Sequence, residues 1–203
     1  VPETSVLGHC FFFAIMTLLL GRESNPNMCE QRVINNFFSA LFHDLPEAVT
    51  RDIISPVKQA TDDLPNIVKK IENEIVNKEL VPLMENFFVQ EIIDYTSDEF
   101  SNRIKNDSGK IQNVSWEELN TKYNQNKYFP IDGRLVRIAD HLSALMEADI
   151  SIKHGITSVH LINGRDGIPY SYKGVGQIGK RVLHLAKVDV AKLCDLESWI
   201  FFH

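Results

Sequence analysis

Four histidine and aspartate residues, taken together, are of the types that bind a divalent metal ion. His9 lies in a strongly apolar segment, His43 and Asp44 are adjacent 34 residues later, and Asp140 follows 96 residues beyond that pair. A carboxylate that continues an apolar helix face is costly to bury unless it is paired, hydrogen-bonded or bound to a metal. Two imidazoles and two carboxylates suit Mn²⁺, Co²⁺, Fe²⁺, Mg²⁺ or Zn²⁺. Such a cation polarises a phosphoryl oxygen and lowers the pKa of a bound water.

Each of these residues also has a purely structural interpretation when it is taken alone. Asp44, followed by Pro46 and Glu47, has the pattern of a helix N-cap with a returning acid. His9 fits a core histidine bonded to a backbone carbonyl, and Asp140 fits a helix-surface ion pair with Arg137. The joint order of the residues, and no single one of them, favours the metal site.

Three segments around these residues resemble the HD-domain superfamily of metal-dependent phosphohydrolases, and they are most similar to its 5'-deoxynucleotidase branch. The central segment, Leu41 to Lys58, is the longest and most specific, with His-Asp-Leu-Pro-Glu followed by Thr-x-Asp and Pro-Val-Lys. Glu3 to His9 resembles the segment that leads to the first histidine of that branch. Arg137 to Leu145 resembles the helix that carries the last ligand.

The resemblance implies a helical bundle with one divalent metal ion held by four residues: His9, His43, Asp44 and Asp140. It also implies that Glu47 orients or deprotonates the attacking water and that Asp52 contacts the sugar or assists the same step. The implied reaction is release of phosphate from a nucleoside 5'-monophosphate, above all a deoxyribonucleotide. Because that branch is often dimeric, a homodimer is an expectation as well.

One feature of the branch has no counterpart in the sequence. Its members carry a substrate-binding arginine on a helix ahead of the first histidine, whereas eight residues precede His9 here. We therefore expect either a further N-terminal helix, since the first residue is Val1 and not methionine, or another phosphate-binding cation such as Arg51 or Lys58.

Three alternative functions stay open. Hydrolysis of guanosine tetraphosphate or cleavage of a cyclic nucleotide would use the same chemistry. An HD-fold di-iron oxygenase needs extra histidines, and the one close candidate, His141, points about 100° away from Asp140 on a helix. A non-catalytic module that keeps its metal for stability is the third, although Glu47 and Asp52 at matching spacing speak against it.

Composition and charge argue against three other classes of protein: nucleic-acid binders, membrane proteins and disulfide-rich proteins. The 203 residues carry a net charge of −6, which disfavours binding of a nucleic acid polymer by bulk attraction. The longest apolar run, Cys10 to Leu20, is about half of the ~20 residues needed to cross a bilayer, and it lacks a basic leader. Cys10, Cys29 and Cys194 are too scattered for a disulfide framework. We expect a cytoplasmic protein that forms one domain over residues 1–203, with no membrane partner.

Hydrophobic periodicity predicts an all-α fold with no strand. The predicted helices run from about Glu3 to Leu20, from Pro26 to His43, from Pro46 for a short stretch, from Ile67 to Leu80, from Pro82 to Tyr95, from Gly133 to His154, and from Gln177 to Phe201. The first is apolar nearly all round, which predicts burial on every side. The second has an apolar stripe of Val33, Ile34, Phe37, Phe38, Leu41 and Phe42, with Asp44 on its continuation.

Two further segments differ from this helical pattern. The polar span 96–127 is predicted as a surface excursion with one helix start, the capping box at Ser115. A glycine-rich loop is predicted after His154. It contains Gly174 to Gly179, which spells G-x-G-x-x-G, but 24 residues are too few to complete a dinucleotide-binding sheet, so we reject that fold.

Overall fold

The computed structural model describes residues 5–22, 27–47 and 63–171. Seven α-helices occur in these residues: α1 (Val6–Arg22), α2 (Glu30–Phe42), α3 (Leu64–Ile75), α4 (Asn86–Thr96), α5 (Trp116–Thr121), α6 (Gly133–Lys153) and α7 (Val159–Ser171). A π-helical turn, Val76–Leu80, continues α3, and short 3-10 turns occupy Val81–Leu83 and Asn126–Tyr128. Two antiparallel strands, β1 (Arg103–Lys105) and β2 (Ile111–Asn113), form a hairpin. The all-α prediction is confirmed, and the hairpin corrects the expectation of no strand.

Helices α1, α2 and α6 pack together around small and aromatic side chains. One cluster of fully buried residues joins the three helices: Phe13, Ala14, Ala40, Val136 and Ala139. A second joins α1 to α6: Phe12, Leu142, Leu145 and Met146. Helical spacing in the sequence predicts a core face for α6 of Leu135, Ile138, Leu142, Leu145 and Met146, and all five residues are buried. Burial of each large apolar side chain contributes about 1.5–3 kcal/mol, so this contact holds the three helices that carry the candidate site.

Helix α1 is buried on one side only. Leu7, Phe11 and Leu19 are exposed, with 73% of the surface of Leu7 accessible, whereas Phe12 and Phe13 are buried. The prediction of burial on every side is wrong, because α2 and α6 both pack on the face that carries Phe13 and Ala14.

The fully buried face of α2 is mostly polar, and this corrects part of the predicted apolar stripe, of which Phe37 and Leu41 do pack against the core. Its buried residues are Arg32, Asn35, Asn36, Ser39 and Ala40, whereas Ile34 and Phe38 are exposed. The Arg32 guanidinium is fully buried against Asp132, with 2.5 Å between Nη2 and Oδ2. The Asn36 side chain accepts a hydrogen bond of 2.8 Å from the backbone N–H of Asp132. The polar face can be buried because its groups have partners: Asp132 at the start of α6 for Arg32 and Asn36, and Tyr95 on α4 for Asn35 and Ser39.

This polar face leads directly to the candidate site. His43 lies four residues after Ser39 and eleven after Arg32, so it continues the buried side of α2 at helical spacing. The side chain of His43 is buried, while that of Asp44 is partly exposed. The histidine, and not the aspartate as predicted, lies on the buried face.

The predicted helix Ile67 to Leu80 corresponds to α3 and its π-helical turn. Helix α4 begins at Asn86 and not at Pro82. Pro82 lies in the 3-10 turn, and the extended backbone of Met84 and Glu85 separates that turn from α4. The short helix predicted from Pro46 extends into residues 48–62, which lie outside the described residues.

The span 96–127, predicted as a surface excursion, contains regular secondary structure with a small core of its own. The β1–β2 hairpin and α5 share a small core of Ile104, Leu119 and Tyr123. The predicted capping box is present, since the Ser115 hydroxyl accepts from the backbone N–H of Glu118 and the Glu118 carboxylate accepts from that of Ser115. Asn120 at the end of α5 accepts a 2.9 Å hydrogen bond from Arg32. The span therefore supports the buried polar face of α2.

Gly133, the first residue of α6, lies against the backbone of Phe100 and Ser101, and a Cβ at this position would collide with both. This close approach fixes the loop that follows α4 against the start of α6. After α6, residues 159–171 form α7, where the sequence predicted a glycine-rich loop. The helix predicted over residues 177–201 and the motif 174–179 lie outside the described residues.

In the part of the chain that the structure describes, no helix has both the length and the apolar character that a membrane crossing needs.

Candidate metal centre

Three of the predicted ligands meet where α1, α2 and α6 pack together. His9 lies near the start of α1, and His43 and Asp44 lie at the end of α2. One candidate ligand atom from each of these residues lies within 4.8 Å of the other two. The Oδ2 atom of Asp44 is 2.8 Å from Nε2 of His43 and 3.9 Å from Nε2 of His9.

Both imidazole rings are oriented by a hydrogen bond at Nδ1, the nitrogen that points away from Asp44. Nδ1 of His43 lies 2.7 Å from the backbone carbonyl of Ala40, and because a carbonyl only accepts, Nδ1 carries the proton. Nδ1 of His9 lies 2.6 Å from Oε1 of Glu147 on α6. Metal-binding histidines are commonly oriented in this way by a carbonyl or carboxylate on the second nitrogen. The Nε2 atoms of both rings therefore face the shared space with Asp44.

Phe13 fixes the separation of the two rings. It is fully buried, one turn after His9 on α1. Its ring makes an edge contact with the His43 ring, with centroids 4.5 Å apart, and stacks on the His9 ring at 6.3 Å. The aromatic core thus positions both candidate ligands.

The two histidines hold protons more tightly than free histidine does. The hydrogen bond to Glu147 raises the pKa of His9 most, burial opposes it, and the charges of Glu147 and Asp44 raise it further. Burial by itself would lower the pKa of His43, but the hydrogen bond to Asp44 and a contact with Cys10 raise it well above its usual value. The surroundings of both rings favour positive charge, which is the electrostatic condition that attracts a cation to this place.

Asp140, the fourth predicted ligand, lies on α6 beside this cluster but outside the group of three. Burial raises the pKa of Asp140, the charge of Asp44 raises it further, and the charges of His43, His141 and His9 lower it. Its carboxylate therefore interacts electrostatically with all three clustered residues. His141, the extra histidine considered for a di-iron site, does not join the cluster.

A polar cleft opens beside the cluster and contains about 510 Å³ of space including its mouth. The described residues that line it are His43, Asp44, Pro46, Glu47, Lys69, Glu72, Asn73, Val76, Thr96 and Glu99. The backbone N–H of Glu47 donates to the carbonyl of Asp44 at 2.9 Å, and this turn carries Glu47 to the cleft. Asp52, Arg51 and Lys58 lie outside the described residues.

The donor set fits a divalent cation of the hard or borderline kind. It offers two imidazole nitrogens with fixed tautomers and the carboxylate of Asp44, with that of Asp140 close by. Sequence reasoning predicted these four residues as ligands and did not single out Glu147. The available signal was spacing: Glu147 follows Asp140 by seven residues, which places both on nearly the same face of α6.

A family model described as the HD domain matches residues 1–168. The match includes all four predicted ligands and continues past residue 145, where the resemblance in the sequence ended, into α7. No curated protein and no solved structure matches the chain significantly. Because the match covers most of the chain and the His9, His43 and Asp44 donors converge, the chain belongs to the HD-domain family, whose members are in general metal-dependent phosphohydrolases.

Proposed function

We propose that the chain hydrolyses nucleoside 5'-monophosphates, with deoxyribonucleotides as the preferred class. The observation that supports this most is the position of Glu47 on a polar cleft directly beside the His9, His43 and Asp44 cluster. A metal centre and a general base that open on the same cleft are what hydrolysis of a phosphate ester requires.

In this proposal, His9, His43, Asp44 and Asp140 hold one divalent cation, which supplies charge stabilisation for the phosphoryl group. Glu47 accepts a proton from the attacking water as the water oxygen bonds to phosphorus. The bond between phosphorus and the 5'-oxygen breaks, and the 5'-oxygen takes up a proton. The products are a nucleoside and inorganic phosphate. Asp52 contacts the sugar or assists the proton transfer, as the resemblance implies.

The charge of the cleft favours a monophosphate over more highly charged substrates. Four of the lining side chains are carboxylates, Asp44, Glu47, Glu72 and Glu99, and Lys69 is the one lysine or arginine among the described lining residues. Among the described lining residues, one divalent cation and the Lys69 ammonium together do not fully offset these four carboxylates. At an effective dielectric constant of about 20, two like charges about 8 Å apart repel by about 2 kcal/mol, so each further negative charge on a substrate is disfavoured, as in guanosine tetraphosphate.

The test is phosphate release from a panel of deoxyribonucleoside and ribonucleoside 5'-monophosphates. Metal-free protein is supplied with Mn²⁺, Co²⁺ or Mg²⁺, and guanosine tetraphosphate and a cyclic nucleotide are included. We expect metal-dependent release with a preference for deoxyribonucleotides. Asp44→Ala should abolish it, while Asp107→Ala, which removes an exposed carboxylate in the hairpin turn, should not.

Glu47→Gln separates catalysis from metal binding. We expect it to lower kcat by about 10²–10⁴-fold, the usual contribution of a general base, with metal affinity unchanged. Release that is independent of metal, or unaffected by Asp44→Ala, contradicts the proposal. No release from any substrate by protein that binds a metal would instead favour the metal-stabilised module.

A further inference from the structure

Lys69 lies on α3 and lines the same cleft as His43, Asp44 and Glu47. It is the single lysine or arginine among the lining residues that the structure describes. Its neighbour on the helix, Lys70, is exposed and does not line the cleft. Among the described residues, one ammonium group therefore lines the cleft on which the candidate metal centre opens, together with carboxylates that by themselves repel an anion.

The Lys69 ammonium is held in place by an ion pair. Its Nζ atom bonds to the carboxylate of Asp98, in the loop that follows α4. Asp98 has a φ of 49°, a left-handed backbone conformation that is uncommon outside glycine. The loop is fastened on both sides of this residue, because the backbone N–H of Ser101 donates to the Asp98 carbonyl and the Arg103 guanidinium donates to the Ser97 carbonyl.

The ion pair leaves the ammonium able to bind a second anion. About 44% of the Lys69 side chain is exposed. An ammonium has three N–H donors, so Lys69 can keep its bond to Asp98 while it donates to another oxygen. A phosphate oxygen is a strong acceptor for such a charge-assisted hydrogen bond.

We propose that Lys69 binds the phosphate group of the substrate and that Asp98 positions its ammonium at the edge of the cleft. This inference rests on the proposed function, because it names the residue that recognises the phosphate in that site. It assigns a role to a residue for which the sequence showed no motif, and it requires no cation from the segment 48–62.

The test compares Lys69→Met with Lys69→Arg and with Lys70→Met as the matched control on the same helix. For the Mn²⁺-loaded enzyme we expect Lys69→Met to raise KM about tenfold and to change kcat little, since a hydrogen bond to a charged group contributes roughly that factor. Lys69→Arg should restore most of the affinity, and Lys70→Met should match the wild-type protein.

Binding of inorganic phosphate, measured by calorimetry on Mn²⁺-loaded protein, tests Lys69 without turnover. We expect Lys69→Met to raise the dissociation constant of phosphate about tenfold as well. If the wild-type protein hydrolyses no nucleotide, the proposed function fails, but weaker phosphate binding by Lys69→Met still supports the assignment. If Lys69→Met binds phosphate as tightly as Lys70→Met does, the assignment of Lys69 is overturned. Absence of phosphate binding by the wild-type protein overturns it as well.

Discussion

Glu147 is predicted to set the affinity of the metal centre although it contributes no ligand. Its Oε1 atom lies 2.6 Å from Nδ1 of His9, so it holds the ring with Nε2 toward Asp44. Glu147→Ala removes that support and leaves His9 free to rotate about its side-chain bonds. The substitution should therefore weaken metal binding without removing any of the four candidate ligands.

The size of the effect follows from exposure. Loss of a residue that orients a metal-binding histidine typically lowers metal affinity by about 10–100-fold. The side chains of His9 and Glu147 are 21% and 35% exposed, so water screens part of their interaction and the lower end applies. We expect Glu147→Ala to raise the dissociation constant of Mn²⁺ about tenfold, or about 1.4 kcal/mol. Glu147→Gln keeps an oxygen acceptor but no charge, so its effect should be about threefold.

Calorimetric titration of metal-free protein with Mn²⁺ measures this directly, and competition with a chelator gives an independent value. Glu117→Ala, on the exposed surface of α5, is the control for loss of one carboxylate. Circular dichroism without metal shows whether each variant is folded. If folded Glu147→Ala binds Mn²⁺ as tightly as Glu117→Ala does, Glu147 does not position His9 and the reasoning is refuted.

Three further predictions concern stability. Asp132→Asn breaks the buried pair with Arg32 and should lower the free energy of unfolding by about 3–5 kcal/mol in urea titrations; a loss below about 1 kcal/mol would contradict the role of the pair. Gly133→Ala forces the backbone of residues 100–101 to move and should cost about 1–3 kcal/mol, whereas Gly164→Ala, in open space on α7, should be neutral or stabilising in the same thermal melts. The Lys69 ammonium holds the pKa of Asp98 below its usual value of 3.8, so the ion pair adds stability above that value and loses it as the pH falls through the lowered pKa. Because the pair is exposed, Asp98→Asn should cost at most about 1 kcal/mol at pH 7, and a difference that persists undiminished at pH 2 would refute the assignment.

Short-range patterns predicted those parts of the fold that depend on short-range contacts. Helix α6 has an apolar face at helical spacing and an aspartate N-cap, Asp132, whose side chain accepts from the N–H of Leu135. Both features depend on residues that are close together in the sequence, and the structure contains both. The capping box at Ser115 is of the same kind.

The orientation of α2 could not be predicted in this way. Its apolar residues Ile34 and Phe38 suggested the buried side, but the buried side carries Arg32 and Asn36. The partner that makes their burial favourable, Asp132, lies 100 residues away from Arg32 in the sequence. A rule that counts apolar residues within one segment contains no information about such a partner.

The hairpin and α7 were missed for different reasons. Each strand of the hairpin has three residues, which is too short for alternation to be recognised. In α7, Gly164 and Gly167 lower the intrinsic helix propensity, and packing against α6 outweighs that cost. The candidate ligands could be found because order and residue type identify them, whereas Glu147 is defined by its distance from His9, which only the folded chain shows.

The ion pair between Arg32 and Asp132 also has a consequence for the order of events during synthesis. At about 5–20 residues per second, a ribosome needs roughly 5–20 s to reach Asp132 after it has added Arg32. During that interval α1 and α2 can pair through Phe13 and Ala40, but the arginine keeps its hydration shell. The polar face of α2 is buried from water only after the start of α6 has been synthesised and has packed against it. A nascent chain that stalls before residue 132 would therefore expose His9, His43 and Asp44 to water and to chaperones, because α6 is not yet present to pack against α1 and α2.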